Sequence, residues 1–452
     1  MPPRRSARVA AVAERATTVL SPLPPSVVLH IFSLLPVDCR LRCAEVCRGW
    51  RSVLLERSLW TRLDISVTSD VIGPLDALLR CAGARAGGGL VSLHISRRDV
   101  EHATLLEVAA ANAGALRELC ACVDGDDNDL GFTLDEAEAL LLAAPLLRVF
   151  ATNLCCNAEE DAKSEDEDRT GLQPARRALR NEAPFGPLRV RRLRAGANLR
   201  DTDEAGVVAF AADVVAHASL TGLELRRAPL QTPAALDAVV DAALARRMER
   251  VTLYRCRFSP ASAPALARLL SSDALTTLTC ERSYLLDAPA APVAAALRAN
   301  ATLTSLTLTY SRVFDDADAA AELLGALTGH ASLRVLNLSH NYAAEADLAA
   351  VGAALGALVA ANAPALTELN VSECALGDDG LRALLQALPH NTHLRQLKCP
   401  DNGISEVFAR DVLLPAVRAN ASLRRLYATG PRFPNTNGSR EAMELVNSRG
   451  AE

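Results

Sequence analysis

Leucines recur along most of this chain in short clusters with one internal spacing. The segments LTGLELRRAPL, MERVTLYRCRF, LTTLTCERSYL, LTSLTLTYSRV, LRVLNLSHNYA, LTELNVSECAL and LRQLKCPDNGI share the pattern L-x-x-L-x-L-x-x-N/C-x-L, with Cys256, Asn341, Cys374 and Asn402 at its polar position. Units begin at Val190, Leu220, Met248, Leu275, Leu303, Leu333, Leu366, Leu394 and Leu423, a period of roughly 28 residues. Weaker copies begin at Leu116 and Leu147, and again at Trp60 and Leu90. The L-x-L alternation predicts short strands that send their leucines to one side and the intervening residues to the other. The Asn or Cys side chain can satisfy backbone groups where the chain turns away from the strand. Between the strands, DADAAAELLGALTGH and DDGLRALLQALPHN place apolar residues three and four apart, which predicts one-sided helices.

Strand, turn, helix and return in about 28 residues is the signature of a leucine-rich repeat with its helices on the outer side. One such unit cannot bury its leucines alone, so neighbours must stack. The expected fold is therefore α/β, a ribonuclease-inhibitor-like solenoid over residues 66–430 with parallel strands on the concave face, helices on the convex face and a C-terminal cap or tail over 431–452. The interval from Leu147 to Val190 breaks the period, and its excess includes NAEEDAKSEDEDRTG. That acidic stretch, 157–172, is expected to be a solvated loop insertion around Ser164.

Ahead of the repeats, the pattern changes. LPPSVVLHIFSLLPVDCRLRCAEVCRGW, residues 23–50, is packed with large apolar side chains, and both Trp of the chain lie in or just after it. Read as helices, PPSVVLHIFSLLP starts on prolines suited to a first turn, and RLRCAEVCRGWRSVLLE forms a second. A unit of about 45 residues is too small to bury so many large side chains. The surplus predicts an exposed apolar patch of the kind that marks a partner site. Cys39, Cys43 and Cys47 fall on one face of the second helix and read as small buried hydrophobes, since neither His nor a C-x-x-C turn accompanies them.

From Leu23 to Ile65 this block resembles the F-box motif without gaps. The Leu-Pro start, the Ile-Phe pair, the Val-Cys-Arg-x-Trp stretch and the closing Leu-Trp all match, while Ser26 stands where the family usually has Glu. A short all-helical F-box over 20–65 followed directly by repeats is the layout of the F-box/LRR family. That resemblance implies a non-catalytic substrate receptor of an SCF-type ubiquitin ligase, binding a Skp-type adaptor and, through it, a cullin and a RING protein. By the same resemblance Leu23, Pro24, Val27, Val28, Ile31, Phe32, Leu35, Leu41, Val46, Cys47, Trp50 and Trp60 serve either the adaptor face or the motif's own core. Leu23, Pro24, Ile31, Phe32 and Trp50 are expected at the interface, and Trp60 at the junction with the repeats.

Composition changes this picture little. A formal net charge of -5 and the lack of an apolar run of spanning length point to neither nucleic acid nor membrane. Residues 1–19 are expected to be a disordered leader, not a secretory signal, which places the 12 Cys as reduced thiols in the cytoplasm and/or nucleus. No phosphate loop, zinc-protease or hydrolase motif is present, so no cofactor, metal or catalytic residue is expected. Substrate is expected on the concave face, at Arg226, Arg227, Arg250, Tyr254, Arg255, Arg282, Tyr310, His340, Glu373, Lys398 and Tyr427. The arginines among them favour an acidic or phosphorylated protein. Two other readings fit the repeats: an interaction scaffold similar to the Ran-type GTPase activators, or an F-box protein acting outside ubiquitination.

Overall fold

The structure is a computed structural model, and it describes residues 23–65, 75–95, 100–121, 131–156, 172–195, 202–283, 290–431 and 436–449. The expected leader and the acidic stretch around Ser164 lie outside these residues. The chain divides into two compact units, residues 1–156 with 173–193 and residues 157–172 with 194–452.

The first unit opens with helices α1 (Pro25–Ser33), α2 (Val37–Val46) and α3 (Arg48–Val53), then a 3-10 turn at Arg57–Trp60. RLRCAEVCRGWRSVLLE is not one helix. α2 stops at Val46, Cys47 is extended, and its sulfur caps α3 by accepting the Trp50 N–H. Cys47 therefore leaves the face that Cys39 and Cys43 share. Arg40, nearly buried, donates to the carbonyls of Ser33, Leu35 and Leu59 and ties the three segments together; burial pushes its pKa down.

Strands β1 (Arg62–Ile65), β2 (Ser92–Ile95), β3 (Glu118–Ala121), β5 (Val149–Cys156) and β6 (Leu188–Ala195) follow in that spatial order, with β4 (Gly131–Thr133) paired to β5. The weak copies at Trp60, Leu90, Leu116 and Leu147 are thus true repeats. β1–β2, β2–β3 and β3–β5 pair in parallel, and Leu63, Leu93, Leu119 and Phe150 stack in register beneath them.

In the second unit, β7 (Gly222–Arg226), β8 (Arg250–Tyr254), β9 (Thr277–Glu281), β10 (Ser305–Thr309), β11 (Val335–Asn337), β12 (Glu368–Asn370), β13 (Gln396–Lys398) and β14 (Arg425–Tyr427) form a parallel sheet in chain order. The central leucine or valine of each, from Leu223 and Val251 through Leu278, Leu306, Leu336, Leu369 and Leu397 to Leu426, pairs in one register and is buried. The two helices read from spacing are present as Ala317–Leu327 and Gly377–Ala387.

The polar position of the template is a ladder between repeats. Asn341 donates to the Leu308 and Leu338 carbonyls at 2.6 and 2.8 Å and accepts the Ser311 and Val313 N–H groups. Asn402 repeats this two units on with Val371, Cys399, Cys374 and Leu376. Ser283 and Ser311 make the same bond to the preceding repeat at 2.8 and 2.7 Å, and the Cys256 and Cys374 thiols make a longer, weaker version. Burial holds the Cys256 and Cys374 thiols up at about 12, so they act as inert spacers. A final helix, Asn437–Ser448, covers β14, its Asn447 side chain bonding the Leu426 N–H and carbonyl. That satisfies an edge strand that would otherwise be open.

Candidate functional site

Each unit presents a surface that its own packing does not consume. On α1, apolar residues fall in two adjacent stripes one position apart. The inner stripe, Val28, Phe32 and Leu35, faces the unit; Val28 is 7% and Phe32 2% exposed, and Leu35 is half-buried. The outer stripe runs Pro24, Val27, Ile31 and Leu34, with Val27 40% and Leu34 71% exposed. These spacings of three and four put the outer set on one helical face.

The block's adaptor candidates therefore separate. Val28, Phe32 and Trp60 belong to the chain's own core, which corrects the assignment of Phe32 to an interface: its ring meets Trp50 edge-on at 5.5 Å inside the helical segment. Trp60 is fully buried, donates to the Leu54 carbonyl and carries the Arg85 guanidinium 5.2 Å from its ring, so it joins the helices to the first repeat. Leu23, Leu41, Val46, Cys47 and Trp50 are half-buried, and Pro24 is exposed.

The substrate candidates of the second unit also fall into two sets. Arg226, Arg250, Tyr254, Lys398 and Tyr427 alternate with the buried leucines on the open sheet face. There the cations are locally matched: Arg226 bonds Glu224 at 2.7 Å and Lys398 bonds Glu368 at 2.6 Å. Arg227, Arg255, Arg282, Tyr310, His340 and Glu373 form a second row, one residue past the five-residue strands β7 to β10 and three past the shorter β11 and β12. All six take left-handed backbone angles, with φ between 50° and 59°. The strain of that conformation is offset by a regular bond: each N–H reaches a carbonyl of the next repeat, Arg255 to Glu281 and Arg282 to Thr309 at 2.8 Å, for example.

Repetition stacks the side chains of this row on one another. Arg282 lies 4.7 Å over the Tyr310 ring, Tyr310 stacks on His340 at 4.0 Å, and His340 Nδ1 stands 3.3 Å from the Glu373 carboxylate. Arg226 and Arg255 flank Tyr254 at 5.0 and 5.3 Å. Such contacts hold long side chains in place at about 0.5–1 kcal/mol each. All of the row but Glu373 borders a cavity of about 910 Å³ at the C-terminal ends of β7 to β11. Arg257, Arg312 and Tyr342 also line it, and the sequence reading missed them. Each lies two positions after a left-handed residue (Arg255, Tyr310 and His340), so the repeat period was the signal that could have found them.

Among the described residues no group of His, Cys, Asp and Glu could hold a metal ion, and no helix is long and apolar enough to cross a membrane.

The F-box-like family model matches residues 20–66, and a leucine-rich-repeat model matches residues 363–385. Human F-box only protein 33 is 31% identical over 153 residues, 33% of this chain and 24% of that protein. Bovine F-box/LRR-repeat protein 12 is 44% identical over 45 residues, 10% of this chain and 14% of that protein. The chain thus spans a quarter or less of these relatives. Among structures, the leucine-rich repeat-containing protein LegL7 from Legionella pneumophila aligns with a TM-score of 0.41 and 17% identity, covering 65% of this chain and 87% of that one.

Proposed function

We propose that this chain, an F-box protein with leucine-rich repeats, is the substrate receptor of an SCF-type ubiquitin ligase. The observation that carries the reading is the match of residues 20–66 to the F-box-like model, on a segment whose α1 leaves Pro24, Val27, Ile31 and Leu34 as an outer stripe. The Skp-type adaptor completes that apolar face and brings the cullin and its RING protein. The repeats bind a protein substrate, acidic or phosphorylated. The receptor itself is not catalytic; holding substrate and adaptor together raises the effective concentration of substrate lysines near the conjugating enzyme. Its place of action is the cytoplasm and/or nucleus.

The test is affinity purification of the full chain beside a Val27→Asp, Leu34→Arg double variant. Both positions are exposed, and an acid in the first turn with a base at the last suits the helix dipole, so the fold is retained. Burying a Val or Leu at an interface contributes about 1.5 kcal/mol or more, so the pair should lower adaptor recovery at least tenfold. Equal recovery from both proteins would overturn the assignment of this face. Adaptor recovered without cullin would place the protein outside ubiquitination, and neither recovered would favour the scaffold.

A further inference from the structure

Five guanidiniums, those of Arg227, Arg255, Arg257, Arg282 and Arg312, line one cavity in the second unit. The single carboxylate lining it, Asp315, stands 3.6 Å from Arg312. The open sheet face beside it is different, since there each close cation–carboxylate pair balances itself. Arg282 adds a second sign of an unmet demand: its Nε is buried and finds no hydrogen-bond partner among the described residues. Cations gathered this closely repel one another, and a dianion relieves more of that repulsion than a single carboxylate does. Arginine forks also match the three oxygens of a phosphate, each accepting charge-assisted bonds.

We infer that this cavity binds a phosphorylated segment of a protein, with the phosphate at Arg255, Arg257 and Arg282. That the ligand is a protein rests on the receptor reading above; that it carries a phosphate rests on the cavity alone. The ends of five neighbouring strands border the site, so it extends roughly 19 Å at about 4.8 Å per strand, the reach of about six extended residues. From the arginine end the segment runs toward Tyr310, His340 and Tyr342, whose rings offer a platform for an apolar or aromatic side chain a few residues from the phosphate. The chain's formal net charge of -5 argues against nucleic acid, which demands a wider basic surface.

The experiment uses the full chain with its adaptor and an immobilised peptide library of degenerate flanks around phosphoserine or phosphothreonine. The same library is presented unphosphorylated and with Glu in place of the phosphoresidue. Phosphorylated peptides should be retained at least tenfold over both others. Arg255→Asn with Arg282→Asn should remove that preference, because Asn tolerates the left-handed backbone at both positions while lacking the charge. Arg257→Gln, at an exposed side chain with ordinary backbone, serves as a second variant and should weaken retention several-fold at an unchanged melting temperature. Equal retention of the three libraries, or retention indifferent to all these substitutions, would overturn the inference. So would tighter, arginine-dependent binding of a single-stranded RNA of matched length. Adaptor recovery, read in parallel, separates the two claims: its loss with phosphopeptide retention intact sinks the receptor reading, and the converse sinks only this cavity's role.

Discussion

Replacing Asn341 by Ala removes the side chain that fixes the cavity's far wall. Asn341 is fully buried, and its Oδ1 receives the N–H of Ser311 at 2.9 Å and of Val313 at 3.1 Å. Those two bonds bracket Arg312, while Asn341 itself sits between His340 and Tyr342; all three neighbours line the cavity. Alanine strands two buried backbone donors and takes a partner from the carbonyls of Leu308, Leu338 and Ser339. Each unsatisfied buried donor costs about 1–3 kcal/mol. With some return of water beside exposed Arg312, the sum is about 3 kcal/mol, against a typical domain stability of roughly 5–15 kcal/mol.

Urea unfolding followed by circular dichroism should show a lowered midpoint with an unchanged slope. Amide hydrogen exchange should locate the loss at Ser311 and Val313. Asn370→Ala is the matched control. It too is the Asn of a repeat motif, but its half-buried Oδ1 serves only the neighbouring Ser372, so the variant should fall within about 1 kcal/mol of wild type. If Asn341→Ala is as stable as Asn370→Ala, or if the two amides stay protected, the ladder does not carry the energy assigned to it.

His330 takes a buried position that Asn300, Asn391 and Asn420 fill in other repeats, its Nδ1 accepting the Leu333 N–H at 3.2 Å as their Oδ1 atoms accept the matching group. Burial pushes its pKa below the ordinary 6.5, partly opposed by the Leu297 carbonyl, so the unfolded chain takes up the proton first as pH falls. Stability is therefore full above pH 6.5 and lost as pH drops from there through the folded value; urea midpoints at pH 7.5 and 5.5 should differ in wild type and converge in His330→Asn, and equal shifts in both would refute the assignment. A methyl added at Gly352 meets the Gly380 carbonyl oxygen at 2.5 Å, where helices Leu348–Ala360 and Gly377–Ala387 touch. Gly352→Ala should thus lower stability by about 1–3 kcal/mol, whereas Gly325→Ala, with open space around it, should be neutral or slightly stabilising; thermal melts decide between them.

The repeats were legible because their period is long, regular and carried by leucine. Even the weak copies at Trp60 and Leu90 became β1 and β2, which continue the register of β3 residue for residue. The helical segment was less legible, for two local reasons. RLRCAEVCRGWRSVLLE contains no proline, and its break at Cys47 rests on a thiol cap that no composition rule flags. In α1 apolar residues adjoin one another at Val27-Val28-Leu29 and Ile31-Phe32, so periodicity could not say whether Val27 or Val28 points inward. Packing of Phe32 against Trp50, with Arg40 fastened to the Ser33 and Leu35 carbonyls, separates the stripes and draws Phe32 inside.

On the repeat surface the sequence left two rows of residues unseparated. Alternation correctly sends Arg226, Tyr254 and Lys398 to the open sheet face, but it stops being informative where the strand ends. Arg227, Arg255, Arg282 and Tyr310 occupy that next position, His340 and Glu373 lie three past their shorter strands, and a left-handed turn re-aims all six. Non-glycine residues rarely adopt such angles, and Arg has no special liking for them; the conformation recurs because the inter-repeat N–H bond demands it, whatever the side chain. The turn therefore leaves the side chain free to vary from repeat to repeat, and here it runs from three arginines through an aromatic pair to an acid. Strand-face charges balance at close range, whereas charges on the turn gather around a cavity. Recognition by this unit should accordingly be more sensitive to Arg255 and Arg282 than to Arg226, although all three look alike in the sequence.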